Sequence, residues 1–149
     1  MKFQEEILTE DILKEAEPLL KKHWEEVAFY KDIELDPDYE FYLALQAAGR
    51  IRSYSARDDQ GVMAGYAVYF LKKNPHYKQS LVAAEDIIFF DPLKRGEGMK
   101  FIKWCDDELR KLGVQIVTHH VKVFFDWSPA LIRMGYDWQD KILSKRLDR

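Results

Sequence analysis

The stretch DIIFFDPLKRGEGMK, residues 86–100, decides the fold. A run of apolar β-formers stops at Asp91-Pro92 and passes through a short loop with two glycines, Gly96 and Gly98. A segment of helical periodicity follows: Ile102, Cys105, Leu109 and Leu112 recur at three, four and three, and Gly113 supplies the stop. A strand that ends in a glycine loop opening a helix is a ready anion site, because the first helical amides lack intrahelical partners and the dipole favours negative charge there. Lys94, Arg95 and Lys100 add positive charge. The P-loop pattern GxxxxGK[ST] is absent. The dinucleotide fingerprint fails too, since Phe101 stands where the third glycine of GxGxxG belongs.

Outward from this stretch, the rhythm of the chain reads as follows. Residues 2–7 form a short first strand. Thr9 caps an amphipathic helix that carries Ile12, Ala16, Leu20, His23 and Val27 on one stripe and ends near Phe29. Asp36-Pro37 signals a second helix, stopped at Gly49. Residues 51–57 and 62–73 alternate as an antiparallel hairpin around DDQG, 74–79 form a loop, and 80–90 make a nearly all-apolar strand. After the third helix, residues 114–121 are expected as a strand parallel to the one before it. Ser128 then caps a short helix with Pro129 at its first position, and 136–147 are expected to supply one or two closing strands. The expected fold class is α/β (α+β): a mixed, mostly antiparallel sheet with a central parallel β4/β5 pair and helices on both faces.

Composition bounds the function. The 149 residues carry no repeat or linker, so one domain spans 1–149. Cys105, the one cysteine, excludes an intramolecular disulfide and reads as core. The longest uncharged apolar run, 61–71, is shorter than the ~20 residues of a membrane span. The acidic N-terminus lacks an apolar signal core, so the expected compartment is the cytoplasm. A net charge of −3 argues against non-specific nucleic-acid binding. Residues 1–93 hold 11 Lys/Arg against 18 Asp/Glu, and residues 94–149 hold 12 against 8. Such a division suits an anionic ligand at one end and a cationic one at the other, or else reflects clustering on solvated faces.

The run from Ile88 to Gly98, IFFDPLKRGEG, resembles the acetyl-CoA signature of the GCN5-related N-acetyltransferase (GNAT) superfamily, an apolar-x-apolar-x-Pro-x-x-Arg-Gly-x-Gly pattern. Met134-Gly135-Tyr136 resembles that family's C-terminal Gly-Phe element, and the order of elements is similar over nearly the whole chain. Arg95 and Gly98 fall on the Arg and first Gly of the narrower Arg-x-x-Gly-x-Gly pattern, while Lys100 replaces its final Gly or Ala. Among relatives, the chain is most similar to small acetyltransferase-like proteins encoded by bacteriophages. The resemblance implies acetyl-CoA as cofactor, with the amides of Arg95, Gly96, Glu97, Gly98, Met99 and Lys100 around its diphosphate and Lys94 beside them. It also implies that the fourth and fifth strands splay, with main-chain groups of Ile88, Phe89 and Phe90 along the pantetheine arm. The implied reaction is direct acetyl transfer to a primary amine of a small molecule or peptide.

That chemistry needs a group to take the amine proton. Glu85 and Asp86, on opposite faces of an apolar strand, are candidates, as are His119 and His120 near the end of the next strand. A His-His metal site is not expected, since neighbouring strand positions cannot converge on one ion. The tyrosine that many family members place four residues before the glycine of Gly-Phe is here Leu131; Tyr136, Ser128 or water are left as proton donors. The acceptor is expected near the first two helices, with His23, Glu26, Tyr30 and Asp32 as candidate contacts. No basic residue interrupts 32–40, a rim that would attract a cationic amine. His23 also reads as a packed histidine. A non-catalytic binding or virion-associated protein, and an acyltransferase acting on nucleic acid, are the alternatives. The resemblance also makes a homodimer through C-terminal strands plausible.

Overall fold

Alternation in residues 51–90 produces a long antiparallel meander, and the rest of the chain is arranged around it. The computed structural model describes residues 1–149. Five strands lie in sequence order: β1 (Lys2–Glu6), β2 (Ile51–Arg57), β3 (Met63–Asn74), β4 (Tyr77–Phe90) and β5 (Ile116–Thr118). The first four pair antiparallel and β4/β5 pair parallel, which is the expected mixed sheet. The helices are α1 (Glu10–Val27), α2 (Tyr39–Ala47), α3 (Gly98–Lys111) and α4 (Ser128–Arg133), with a 3-10 turn over Pro92–Glu97.

Two apolar layers clasp the sheet. On one face Phe101, Cys105 and Leu109 of α3 bury against Tyr54, Tyr69 and Phe90. On the other, Leu19 of α1 packs with Met63, Tyr66 and Phe89. Each such large side chain contributes ~1.5–3 kcal/mol on burial. Gly65 lets the Phe90 ring cross β3 closely, since a Cβ there would fall 2.6 Å from that ring and 2.9 Å from the Phe89 carbonyl oxygen. At the far edge, buried Glu6 ties β1 down by accepting from Ser55 Oγ at 2.5 Å and Arg57 Nε at 2.9 Å.

Several expectations are corrected. Residues 74–79 are not a loop: β3 and β4 turn over at Pro75-His76, so strand pairing runs almost to the tip. Thr9 caps α1 as expected, accepting from the Ile12 N–H. α2, however, starts at Tyr39 with Asp38 as its cap, because it is the Asp38 carboxylate that accepts the Phe41 N–H. Ser128 is the first residue of α4 and not its cap; its N–H is held by Asp126. β5 keeps three residues of the expected 114–121, since β4 turns away from it beyond Ala84. Residues 136–147 form no strand. So short an edge offers little ladder to pair with, and the tail instead docks by side chains. The parallel pair therefore lies at one edge of the sheet.

Candidate active site

The site is made by one irregularity in β4. The register slips between Val68 and Tyr69 of β3, so that Val68 faces Ile87, Tyr69 faces Glu85, and Asp86 is the extra residue of a bulge. Bulges bend a strand, and this one sits where the ladder to β5 ends, Ala84 opposite Thr118 being the last pair. Beyond it β4 runs on to Phe90 with its outer edge open. The Asp91 N–H reaches the Ala64 carbonyl of β3 at 2.7 Å, so the Phe90 carbonyl, across the same planar peptide, points to the open edge. Ile88, two residues back, presents its N–H and C=O the same way.

The bulge also sorts the two carboxylates to opposite faces, as alternation had suggested. Glu85 turns to the α3 side. It is buried, 2.8 Å from His119 Nδ1, and also accepts the His120 N–H at 3.2 Å. Asp86 turns to the α1/α2 side together with Ile87 and accepts a short hydrogen bond from the Tyr42 hydroxyl. Burial raises the Asp86 pKa above the ordinary carboxylate range, against the lowering effect of the Tyr42 bond. Burial and the Asp86 carboxylate push the Tyr42 phenol up in turn.

Asp86 adjoins a cleft of about 1960 Å³. Tyr66, Val68 and Ile87 line its floor, Leu20 and Trp24 of α1 and Tyr42 of α2 one side, and His120 through Phe124 the other. It reaches inward to His119, Ser128, Leu131 and Tyr136, and outward to Glu34 and Asp36. His23 is half-buried beside it, stacked on Phe89 at 5.0 Å, with Nδ1 3.0 Å from the Tyr66 hydroxyl. Burial lowers its pKa to about 4, so the ring is neutral near pH 7.

His119 and His120 lie just past β5 and not within it, since the Glu85 carboxylate draws the chain out of the ladder. Tyr136 donates to Asp106 at 2.6 Å and stands edge-on to His119. The remaining candidate acceptor contacts face protein partners. Glu26 binds Arg95 through both carboxylate oxygens at 2.7 Å. Tyr30 bonds Ser144 at 2.7 Å, and Asp32 bonds Arg146 at 3.0 and 3.1 Å, so the C-terminal tail straps the acidic rim.

At the cofactor loop the structure keeps the main chain and redirects the side chains. Lys94 pairs with Asp58 at 2.7 Å, Lys100 with Glu97 at 3.0 Å, and Arg95 with Glu26. Arg95 also donates Nε to the Phe90 carbonyl at 3.2 Å and lies over Phe89 and Phe125. Each cationic side chain of the loop thus has an acidic partner, and one β4-edge carbonyl is already taken. The amides differ. α3 begins at Gly98 with no side-chain cap; the Gly98 N–H is taken by the Arg95 carbonyl, and the N–H groups that follow in the first turn have no side-chain acceptor and suit an external one. A Cβ at Gly96 would meet no atom within 4 Å, and one at Gly98 only the Phe90 ring at 3.9 Å. Lys100 is exposed and held only by a surface pair within its helix turn, so it can swing to an anion at little cost. These residues fit a diphosphate held mainly by main chain.

Solved structures share the overall fold. A protein from Clostridium acetobutylicum described as a predicted acetyltransferase, solved with acetyl-CoA, superposes with a TM-score of 0.72 at 13% identity over 98% of this chain and 96% of its own. The glucosamine-6-phosphate N-acetyltransferase of Arabidopsis thaliana gives 0.72 at 14% identity, over 99% and 100%. A ribosomal-protein-alanine N-acetyltransferase from Brucella melitensis gives 0.68 at 16%, over 97% and 100%. The chain has the GNAT acetyltransferase fold. No protein-family profile matches it, and no curated sequence does. At these identities the shared property is the fold itself. Sequence reading did not foresee the bulge at Asp86 or the strap from Arg146 to Asp32; neither leaves a signal in local pattern.

Proposed function

We propose that the protein is an acetyl-CoA-dependent N-acetyltransferase whose acceptor is a primary amine, cationic before reaction. The observation that carries this reading is the bulge at Asp86. In one step it opens the β4 edge beside a helix N-terminus with no side-chain cap and sets a carboxylate of raised pKa against Tyr42, a residue of the cleft wall.

Acetyl-CoA, when bound, supplies an acetyl thioester. The first-turn amides of α3 and the Lys100 ammonium would hold its diphosphate, and the N–H and C=O of Ile88 would meet the amides of its arm. Asp86 binds the incoming ammonium and takes its proton, a task helped by a pKa moved toward neutrality. Tyr42 holds that carboxylate in place, and neutral His23, bonded through Nδ1 to the Tyr66 hydroxyl, stands beside the cleft. Glu34 and Asp36 at the mouth favour a cationic acceptor by long-range attraction.

The pairing of Lys94, Arg95 and Lys100 with carboxylates favours a second reading, a GNAT-fold protein that binds without catalysing. A thiol-release assay with acetyl-CoA across polyamines, aminoglycosides, amino acids and peptides separates them. Turnover with at least one amine is expected. Tight coenzyme A binding with no release from any of them would leave the binding protein as the better account.

A further inference from the structure

The inner end of the cleft holds a group that the reading above does not use. His119 has a side chain only 1% exposed, and its Nδ1 is fixed 2.8 Å from Glu85 Oε2. Its other nitrogen, Nε2, is buried with no hydrogen-bond partner. Buried polar atoms are rarely left unpaired, and a place made for a ligand is one reason for the exception. Three aromatic rings hold the imidazole edge-on, Tyr69 and Trp127 at 5.7 Å and Tyr136 at 5.3 Å. His119 also follows directly on the last paired residue of β5, where the two strands begin to part.

We infer that His119, positioned by Glu85, is the proton donor to the sulfur that leaves during acetyl transfer. This rests on the proposed acetyltransferase reading. Of the other groups near the inner end, Leu131 has no proton to give, the Tyr136 hydroxyl donates to Asp106 and Ser128 bonds Asp126; the Tyr69 hydroxyl, though unpartnered, belongs to the core packed under α3. The role requires a proton on each ring nitrogen, Nδ1–H facing Glu85 and Nε2–H facing the sulfur. As the amine nitrogen bonds to the acetyl carbon, the carbon–sulfur bond breaks and sulfur departs with the electron pair. Sulfur takes the Nε2 proton; Asp86, having passed the ammonium's first proton to water before attack, takes the second from nitrogen, and exchange with water resets both groups. Nothing is oxidised or reduced.

The test uses the full chain with ¹⁵N-labelled histidine. Calorimetry first establishes binding of coenzyme A and of desulfo-coenzyme A; failure of both to bind would remove the acetyltransferase reading and this inference together. With binding in hand, coenzyme A is expected to move the His119 Nε2 resonance while desulfo-coenzyme A leaves it in place. An equal response to both, or none to either, overturns the role of His119 and leaves the cofactor site standing. His119→Gln is expected to lower kcat about 10²-fold with the coenzyme A Kd within about twofold of wild type. Should that variant fail to fold, the wild-type spectra decide alone.

Discussion

His23 should make the protein acid-sensitive by an amount that can be worked out. Burial lowers its pKa from 6.5 to about 4, and the neutral ring stacks on Phe89 beside the Tyr66 hydroxyl. Between those two values the unfolded chain binds the proton and the folded chain does not, so stability falls as pH drops through the window. With these two values, linkage gives a loss of about 2 kcal/mol between pH 7 and pH 4.5 from this one residue. Asp86 and Asp106 act in the opposite sense, because their raised pKa values let the folded state take protons first as pH falls. The wild-type profile alone is therefore ambiguous, and the difference from His23→Gln isolates the histidine. Urea unfolding at pH 7 and pH 4.5, each extrapolated to water, should show the variant losing about 2 kcal/mol less than wild type. Equal losses in the two proteins would refute the burial argument, and with it the view that His23 stays neutral beside the acceptor cleft.

Two further predictions concern turnover. Asp86→Asn keeps the shape and the contact with Tyr42 but cannot take a proton; kcat should fall at least about 10²-fold while calorimetry shows acetyl-CoA binding unchanged. Arg149 also pairs with Asp32, at 3.6 Å, so Arg146→Ala combined with Arg149→Ala releases Asp32 from both tail guanidinium groups; KM for a cationic acceptor should fall, and steady-state kinetics at two ionic strengths should show the effect shrinking with salt.

How much of this was legible follows from range. The antiparallel meander, the α1 stripe and the glycine loop are local patterns, and they were read with their order and sense correct. The residues that set the site are not local. Asp86 looks like one more strand position until the β3 register is known, and Gly65 shows its purpose only when Phe90 lies across it. Arg95 reads as a phosphate ligand by position, yet Glu26, on a helix 69 residues earlier, claims its guanidinium. The tail KILSKRL has enough apolar residues to suggest a strand, but it follows an edge of three residues and settles by charge on Asp32. Glu85 and His119, each a plausible base alone, become a buried pair once β5 lies beside β4.

The central claim is that the amides opening α3 grasp the diphosphate of coenzyme A. The most direct measurement is calorimetric titration of acetyl-CoA into wild type and Gly98→Trp, whose indole would project from the first residue of that helix. The account predicts saturable one-to-one binding to wild type and none to the variant, with the variant's near-ultraviolet circular dichroism showing a packed fold. Equal affinity in both proteins would contradict it.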